Sequence, residues 1–395
     1  MKKKSQITMF IILGLVLIVI VSIFLYISKS TPKRQTQQSV AKLQETAIEQ
    51  QPIKEFTTLC LDKVSKDAVK LIGGQGGYIY TSQGGTLDDF SDTDKGSFFI
   101  EHKKLKTAYN IKKPAFTIQQ FSPTAPDYPW ITFPYETASS NTKKFEGNFG
   151  TDRMLPLRSS QGQHSIQTQI ETYIDNNLDN CLDFSSFEIQ GYKIEKQKSK
   201  TQVVIGSKDI SVRSEIPLII TQTQTKETLE IKDFSTTLKI RLEDMYYFIK
   251  GLIENDIKDI TFKIQGHNGN SFFVRSIEDA YQKDDLIIIS DEESLIDGLP
   301  FEYIFARENR IPALYYIKEN VLYYPRGILI TQDNLLSGYV PKAEDPDEDT
   351  LTFTLKALLA NPDLPTMLNQ PQINFRMGVS DGELADYQII MVEQG

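Results

Sequence analysis

Three aspartates near the C-terminus, Asp345, Asp347 and Asp349, stand at alternate positions and form the most distinctive chemical pattern in the sequence. Carboxylates suit a hard divalent cation, because such an ion takes about six to eight oxygen ligands. An EF-hand loop is excluded, since its sixth position would be Thr350 instead of Gly and its twelfth Lys356 instead of Glu. Alternatively, the aspartates shape a turn through hydrogen bonds between their side chains and the backbone.

The sequence around these aspartates predicts β-structure. Residues 343–355 form an acidic turn followed by an alternating strand, and residues 375–392 form a hairpin whose turn centres on Asp381-Gly382. This pattern resembles the cadherin-like and related immunoglobulin-like repeats of cell-surface proteins, and the resemblance covers residues 325–395. It implies an all-β immunoglobulin-like sandwich at residues 321–395, of the kind that serves as an adhesive unit or a spacer.

The same resemblance implies a set of calcium ligands. In calcium-dependent members of that family the acidic cluster binds Ca²⁺. Carried over to this sequence, the ligands would be Asp345, Asp347 and Asp349, with Asp381 or Asp386 approaching from the hairpin. Calcium is the only cofactor that the sequence suggests, and the alternative remains that these aspartates only form turns.

The chain contains two cysteines, Cys60 and Cys181, which we expect to form a disulfide in an oxidising compartment. A bridge that closes so long a loop would stabilise the fold by about 4–5 kcal/mol in the chain-entropy model. Two buried free thiols are the alternative. A metal site at the cysteines is not expected, because His102, His164 and His267 show no ligand spacing.

An aromatic group lies in the proline-rich stretch at residues 126–135. Its members are Tyr128, Trp130, Phe133 and Tyr135, and Trp130 is the only tryptophan in the chain. Aromatic rings of this kind could stack on a glycan or a peptide, which makes the group a candidate ligand-binding surface. The alternative is that the rings pack a long loop onto its own domain.

Enzyme motifs are missing from the sequence. There is no H-E-x-x-H, Walker A or Rossmann glycine motif. Ser140 and Lys143 spell the S-x-x-K motif of penicillin-binding enzymes, but no K-T-G follows. Carboxylates at residues 243–244 or 291–293 would be candidates for a glycosidase pair, although solvated surface acids explain them as well. We therefore expect a non-catalytic protein, with an envelope hydrolase acting on glycan or peptide as the alternative.

Two arginines in the second half of the chain are candidate ligand contacts. Arg307 and Arg310 follow a run of strand-like apolar residues and would bind an acidic ligand. The alternative is that they pair with their near neighbours Glu302 and Glu308. The sequence leaves both interpretations open.

Residues 53–320 must position these side chains. They show both helical and strand-like periodicity, and this pattern predicts an α+β body. Apolar residues recur at helical spacing from Ile53 to Ala68 and again over residues 166–181. A third helix is predicted at residues 236–255, while residues 187–195, 202–205 and 210–221 predict strands. The words Cys60-Leu61-Asp62 and Cys181-Leu182-Asp183 match, which indicates either an internal duplication or coincidence.

Residues 9–28 contain no charge and are long enough to span a bilayer as a helix. With the cations on either side, residues 1–35 predict a retained signal anchor, and residues 36–52 a polar spacer. We expect a single-pass protein of the cell membrane with a cytoplasmic N-terminus and an extracytoplasmic body. A cleaved signal peptide is disfavoured by the length of the run. A pilin-like leader is a lesser alternative. It is disfavoured because Phe10 stands where pilins carry glutamate.

Charge narrows the class of partner. Residues 1–35 carry six cations and no carboxylate, so residues 36–395 carry a net charge of −15. This balance argues against nucleic acid, whose binding needs clustered Lys and Arg. The whole chain also resembles membrane-anchored envelope proteins of small-genome archaea. The sequence therefore predicts a membrane-anchored surface protein for adhesion, ligand binding or envelope assembly, with a surface protein or glycan as partner.

Overall fold

The computed structural model describes residues 33–113, 149–158, 164–269, 271–315, 321–324, 341–357 and 372–394. The chain divides into two compact units, Met1–Thr57 and Thr58–Gly395. The four α-helices of the described residues are α1 (Lys33–Gly74), α2 (Ile166–Asn177), α3 (Ser185–Ile189) and α4 (Leu242–Asp256).

Sixteen strands are found in the described residues. They are β1 (Phe99–His102), β2 (Leu105–Lys112), β3 (Thr151–Asp152), β4 (Tyr192–Lys196), β5 (Lys200–Ile205), β6 (Ile210–Gln222), β7 (Thr228–Leu238), β8 (Phe272–Tyr281), β9 (Asp284–Ile296), β10 (Leu299–Arg307), β11 (Ala313–Leu314), β12 (Val321–Tyr324), β13 (Ala343–Glu344), β14 (Thr352–Ala357), β15 (Gln372–Ser380) and β16 (Ala385–Gln394).

The helices follow the local signals of the sequence. The hydroxyl of Ser165 caps α2 by accepting the backbone N–H of Thr168, and the periodic Ile166, Ile170 and Ile174 are fully buried. Helix α1 ends at Gly74, the second of two consecutive glycines. The helices expected from the periodicity after Ile53 and at residues 166–181 are thus confirmed.

Two other local predictions were wrong. Helix α4 begins at Leu242 instead of residue 236, because Thr236 and Thr237 pair with Val212 and Ser211 of β6 as the end of β7. Residues 187–195 do not form one strand, because a short helix, α3, precedes β4.

The first sheet has the order β1-β2-β10-β9-β8, with β3 also paired to β2. Strands β2 and β10 run parallel, and the other pairs are antiparallel. The run from Leu286 to Ile289 in β9 is continuously buried, as expected for a central strand covered on both faces.

The second sheet is an antiparallel arrangement around the long strand β6. Along one edge of β6, residues 210–215 pair with β5 and residues 218–222 pair with β4. The other edge of β6 pairs with β7. In β5 buried and exposed residues alternate strictly, so one face of this sheet packs inward and the other faces solvent. Glu171 of α2 accepts the backbone N–H of Val203, which fixes this helix against the inward face.

The C-terminal strands form a four-stranded sheet of order β12-β16-β15-β14, and β11 pairs with β13. Ser380 pairs with Ala385 at the end of the β15–β16 hairpin, which confirms the turn predicted at Asp381-Gly382. Gly382 has a φ of 107°, a conformation that residues with a side chain rarely adopt.

Cys60 and Cys181 form the predicted disulfide, with Cα atoms 5.6 Å apart. It joins α1 to the turn that follows α2 and closes a separation of 121 residues. The described residues contain no free cysteine.

The predicted fold class was wrong on two counts. The described residues are mostly β-sheet, because long polar strands such as β7 add ladders that the α+β prediction did not contain. None of the described helices is both long and apolar enough to cross a bilayer. The span predicted at residues 9–28 lies outside the described residues. Because no described helix could cross a bilayer, the predicted transmembrane anchor and the single-pass cell-membrane localisation are corrected. The predicted domain boundaries at residues 36–52, 53–320 and 321–395 stay predictions.

Candidate functional site

The acidic motif lies in the loop between β13 and β14. The Oδ1 atom of Asp345 accepts the backbone N–H groups of Asp347 at 2.8 Å and Asp349 at 3.1 Å. A carboxylate that accepts backbone N–H groups two and four residues ahead fixes a tight turn. Asp345 therefore shapes the loop and directs Asp347 into the interior.

Asp347 is almost fully buried and binds two arginines. Its Oδ2 atom accepts the backbone N–H of Arg310 at 2.7 Å. Its Oδ1 atom accepts the Nε and Nη2 groups of Arg310 at 3.0 and 2.8 Å, and lies 3.1 Å from Nε of Arg307. Burial alone would raise the pKa of Asp347, but the charges of Arg310 and Arg307 hold it below its ordinary value.

Arg310 is completely buried and has a partner on every side of its guanidinium. Its Nη1 atom lies 2.8 Å from Oδ2 of Asp256 and also donates to the carbonyl oxygens of Asp256 and Phe149. Its Nη2 atom donates to the carbonyl oxygen of Pro346 at 2.7 Å. These contacts join the end of α4 to the acidic loop.

Arg307 completes the arrangement from the last position of β10. It pairs with Asp256 at 3.2 Å and with Asp285, at the start of β9, at 2.6 Å. We call Asp256, Asp285, Arg307, Arg310 and Asp347 the Arg–Asp cluster. Burial of a charge is costly unless it is paired, so removing one member would leave its partners uncompensated.

A second set of contacts fastens the β15–β16 hairpin turn. Asp284 accepts the hydroxyl of Tyr109 at 2.5 Å and the backbone N–H of Asn309 at 2.7 Å. The side-chain amide of Asn309 then donates to Oδ2 of Asp381 at 3.1 Å. Residues 307–310 thus form one segment whose side chains and backbone contact several neighbouring elements.

The two aspartates of the hairpin, Asp381 and Asp386, also bind protein groups. Oδ1 of Asp381 accepts the backbone N–H groups of Glu383 and Leu384 within its turn. Oδ2 of Asp386 accepts the backbone N–H of Leu314 in β11 at 2.8 Å. Both aspartates therefore act as hydrogen-bond acceptors that hold backbone segments.

The four predicted calcium ligands Asp345, Asp347, Asp349 and Asp381 lie in this region, and protein groups bond both carboxylate oxygens of Asp347 and Asp381. The Oδ2 atoms of Asp345 and Asp349 are buried and have no hydrogen-bond partner among the described residues. Asp349 lies 3.3 Å from the ammonium of Lys283. Burial and the charge of Asp347 raise the pKa of Asp345 to about 7. Within the described ranges no group of three or more His, Cys, Asp or Glu side chains is arranged to hold a metal ion. Calcium binding stays a prediction.

The aromatic group Tyr128, Trp130, Phe133 and Tyr135 lies outside the described residues, so its predicted ligand-binding role stays a prediction. Some of the carboxylates considered for a glycosidase pair have arginine partners. Glu243 lies 2.7 Å from Arg158, and Asp291 accepts Nε of Arg241 at 3.0 Å.

The sequence marked Arg307 and Arg310 as candidate contacts and left two interpretations open, of which the pairing with Glu302 and Glu308 was wrong. Glu302 pairs with Lys103 and Arg275, and Glu308 pairs with Lys112 and Lys113. Both arginines instead bind aspartates distant in sequence. Asp256 was missed, because an acidic residue at the end of an amphipathic helix carries no signal of an inward orientation.

Comparison with known proteins adds little. No family model matches the chain, and no curated protein matches it. Among solved structures, one described as protocadherin gamma B7 extracellular cadherin domains 1–4 is similar at 9% identity with a TM-score of 0.14, covering 56% of this chain and 70% of that one. A TM-score this low does not establish a shared fold. The resemblances to cadherin-like repeats and to archaeal envelope proteins therefore stay predictions.

Proposed function

We propose that this chain is a non-catalytic binding protein that acts in adhesion or assembly, with a protein or glycan as partner. The observation that carries the proposal is the Arg–Asp cluster. The most concentrated set of buried charges in the described residues is used to fasten the acidic loop before β14 to α4, β9 and β10.

The state of these charges argues for a fastening role. A catalytic site keeps acids, bases or donors directed at the position of a substrate. Here Arg310 is 0% exposed and Asp347 8% exposed, and both are bonded to protein groups. A cluster of this kind holds the C-terminal β-structure in a fixed position, which suits a protein that presents its surface to a partner.

The second sheet supplies a suitable surface. Lys200, Gln202 and Val204 of β5 face solvent, as do Ser211 and Arg213 of β6. An antiparallel sheet with one packed and one polar, solvated face is rigid and offers side chains at regular spacing. Such a face suits recognition of a macromolecule.

The proposal is tested with beads coated with the full chain. We expect these beads to aggregate with one another or to bind beads coated with mannan, the glycan probe. Asp347→Asn should reduce the adhesion, because it removes the charge between Arg307 and Arg310. Glu195→Gln, at an exposed carboxylate on β4, is the matched control and should adhere like the native chain.

Catalysis is tested in parallel by incubating the chain with mannan and with casein. We expect no new reducing ends and no new amino groups. Steady release of either product would contradict the proposal, as would beads that bind neither each other nor mannan.

A further inference from the structure

A polar recess of about 240 Å³ opens on the solvent face of the second sheet. Its walls are Lys200 and Gln202 of β5, Arg213 and Glu215 of β6, and Asp233 of β7. Lys200, Glu215 and Asp233 lie in one cross-strand row, and Gln202 and Arg213 lie in the next. The walls are therefore carried by three hydrogen-bonded strands and not by a loop.

The charges of this recess are mostly unpaired. Glu215 lies 3.6 Å from Lys232 on the rim, which is its only ion pair among described residues. Within that part of the chain, Lys200, Arg213 and Asp233 make no ion pair and no side-chain hydrogen bond. This contrasts with Arg158, Arg241, Arg275, Arg307 and Arg310, each of which binds a carboxylate.

The arrangement of the unpaired groups restricts the ligand. Two cations and two carboxylates line one recess. Glu215 and Asp233 would repel a simple anion, and Lys200 and Arg213 would repel a simple cation. A molecule with both charges satisfies both sets. Residues two apart on a strand are separated by about 7 Å, which is the spacing between Arg213 and Glu215 along β6.

We propose that this recess binds a small zwitterion of dipeptide length. An extended dipeptide separates its terminal charges by about 7 Å, which matches the spacing on β6. Its carboxylate binds Arg213, whose guanidinium offers two parallel N–H donors. Its ammonium binds Glu215 and Asp233. This site is independent of the Arg–Asp cluster and adds a small-molecule ligand to the proposed function.

The test is calorimetric titration of the full chain with glycylglycine as the probe. We expect saturable binding, and at least tenfold weaker binding of acetate, of methylamine and of N-acetylglycine amide, which lack one or both charges. Arg213→Ala should weaken glycylglycine binding at least tenfold. Lys193→Ala, an exposed change on β4 of the same sheet, is the matched control and should leave the affinity within twofold.

Each other result overturns the proposal. Absence of saturable binding to the native chain removes the site. Equal affinity for acetate and glycylglycine would show a plain anion site, and equal affinity of native chain and Arg213→Ala would place the ligand elsewhere. Far-UV circular dichroism of the variant excludes misfolding as the cause of lost binding.

Discussion

The Arg–Asp cluster and the recess on the second sheet contain the same kinds of residue in opposite surroundings. In the cluster, Arg310 is fully buried and bound to Asp347 and Asp256. In the recess, Arg213 and Asp233 face solvent on neighbouring strands without pairing. Water compensates the exposed charges, whereas the buried ones depend on each other.

The position of a charge decides its effect on folding. Removing one partner of a buried pair costs several kcal/mol, because the other charge stays buried and unpaired. An exposed charge contributes little to stability and is available to an external ligand. The cluster should therefore respond to mutation with loss of stability, and the recess with loss of binding.

The largest expected effect comes from Arg310→Met. This change leaves Asp347 and Asp256 without their shared guanidinium, and we expect the free energy of unfolding to fall by about 3–5 kcal/mol. Urea denaturation of the full chain measures it. The matched control is Arg213→Met, which should change the free energy of unfolding by less than about 0.5 kcal/mol. Similar losses in both variants would remove the contrast between the two regions.

A smaller effect is expected from the pH dependence of Asp345. Its pKa of about 7 in the folded chain stands against 3.8 for an ordinary aspartate. Between about pH 4 and 7 the folded chain keeps a proton that the unfolded chain releases, so this group lowers the free energy of unfolding as the pH rises. The loss is at most about 4 kcal/mol and is complete above pH 7.

Asp345→Asn tests this expectation, because the amide keeps an acceptor for the turn but does not titrate. Native chain and variant should have similar stability at pH 4, and the variant should be the more stable at pH 8. Urea denaturation at several pH values measures the gap. Parallel stability profiles would show that Asp345 has the same pKa in the folded and the unfolded chain.

The smallest effect is expected at the rim of the recess. Lys232→Ala removes an ion pair with Glu215 whose side chains are both about half exposed. We expect a loss of at most about 1 kcal/mol, which disappears in 1 M salt because exposed charges are screened. A loss above about 2 kcal/mol, insensitive to salt, would mean that this pair behaves like the buried cluster.

The features that sequence reasoning predicted correctly depend on local patterns. Helix α2 is encoded by the spacing of its isoleucines, and the β15–β16 hairpin by Asp381-Gly382 between alternating segments. The start of α4 was misplaced because Thr236 and Thr237 suit a helix cap as well as a strand, and pairing with β6 decided between them.

The candidate site was only partly predictable. The sequence marked Asp345, Asp347 and Asp349 as unusual and named both arginines. Arg310 and Asp347 are 37 residues apart, and Arg307 and Asp256 are 51 apart, so their pairing depends on how whole elements pack. The recess had no signal at all, because its residues lie on three strands and adjoin only through the register of the ladder.

The bond between Cys60 and Cys181 has a consequence for the fate of a damaged molecule. A protease that cuts the backbone once anywhere between these two residues cannot release either fragment, because the bond still joins them. Such a nicked molecule would migrate as one species on a non-reducing gel and as two after reduction. Its two pieces would stay at high effective concentration and could remain assembled after the cut.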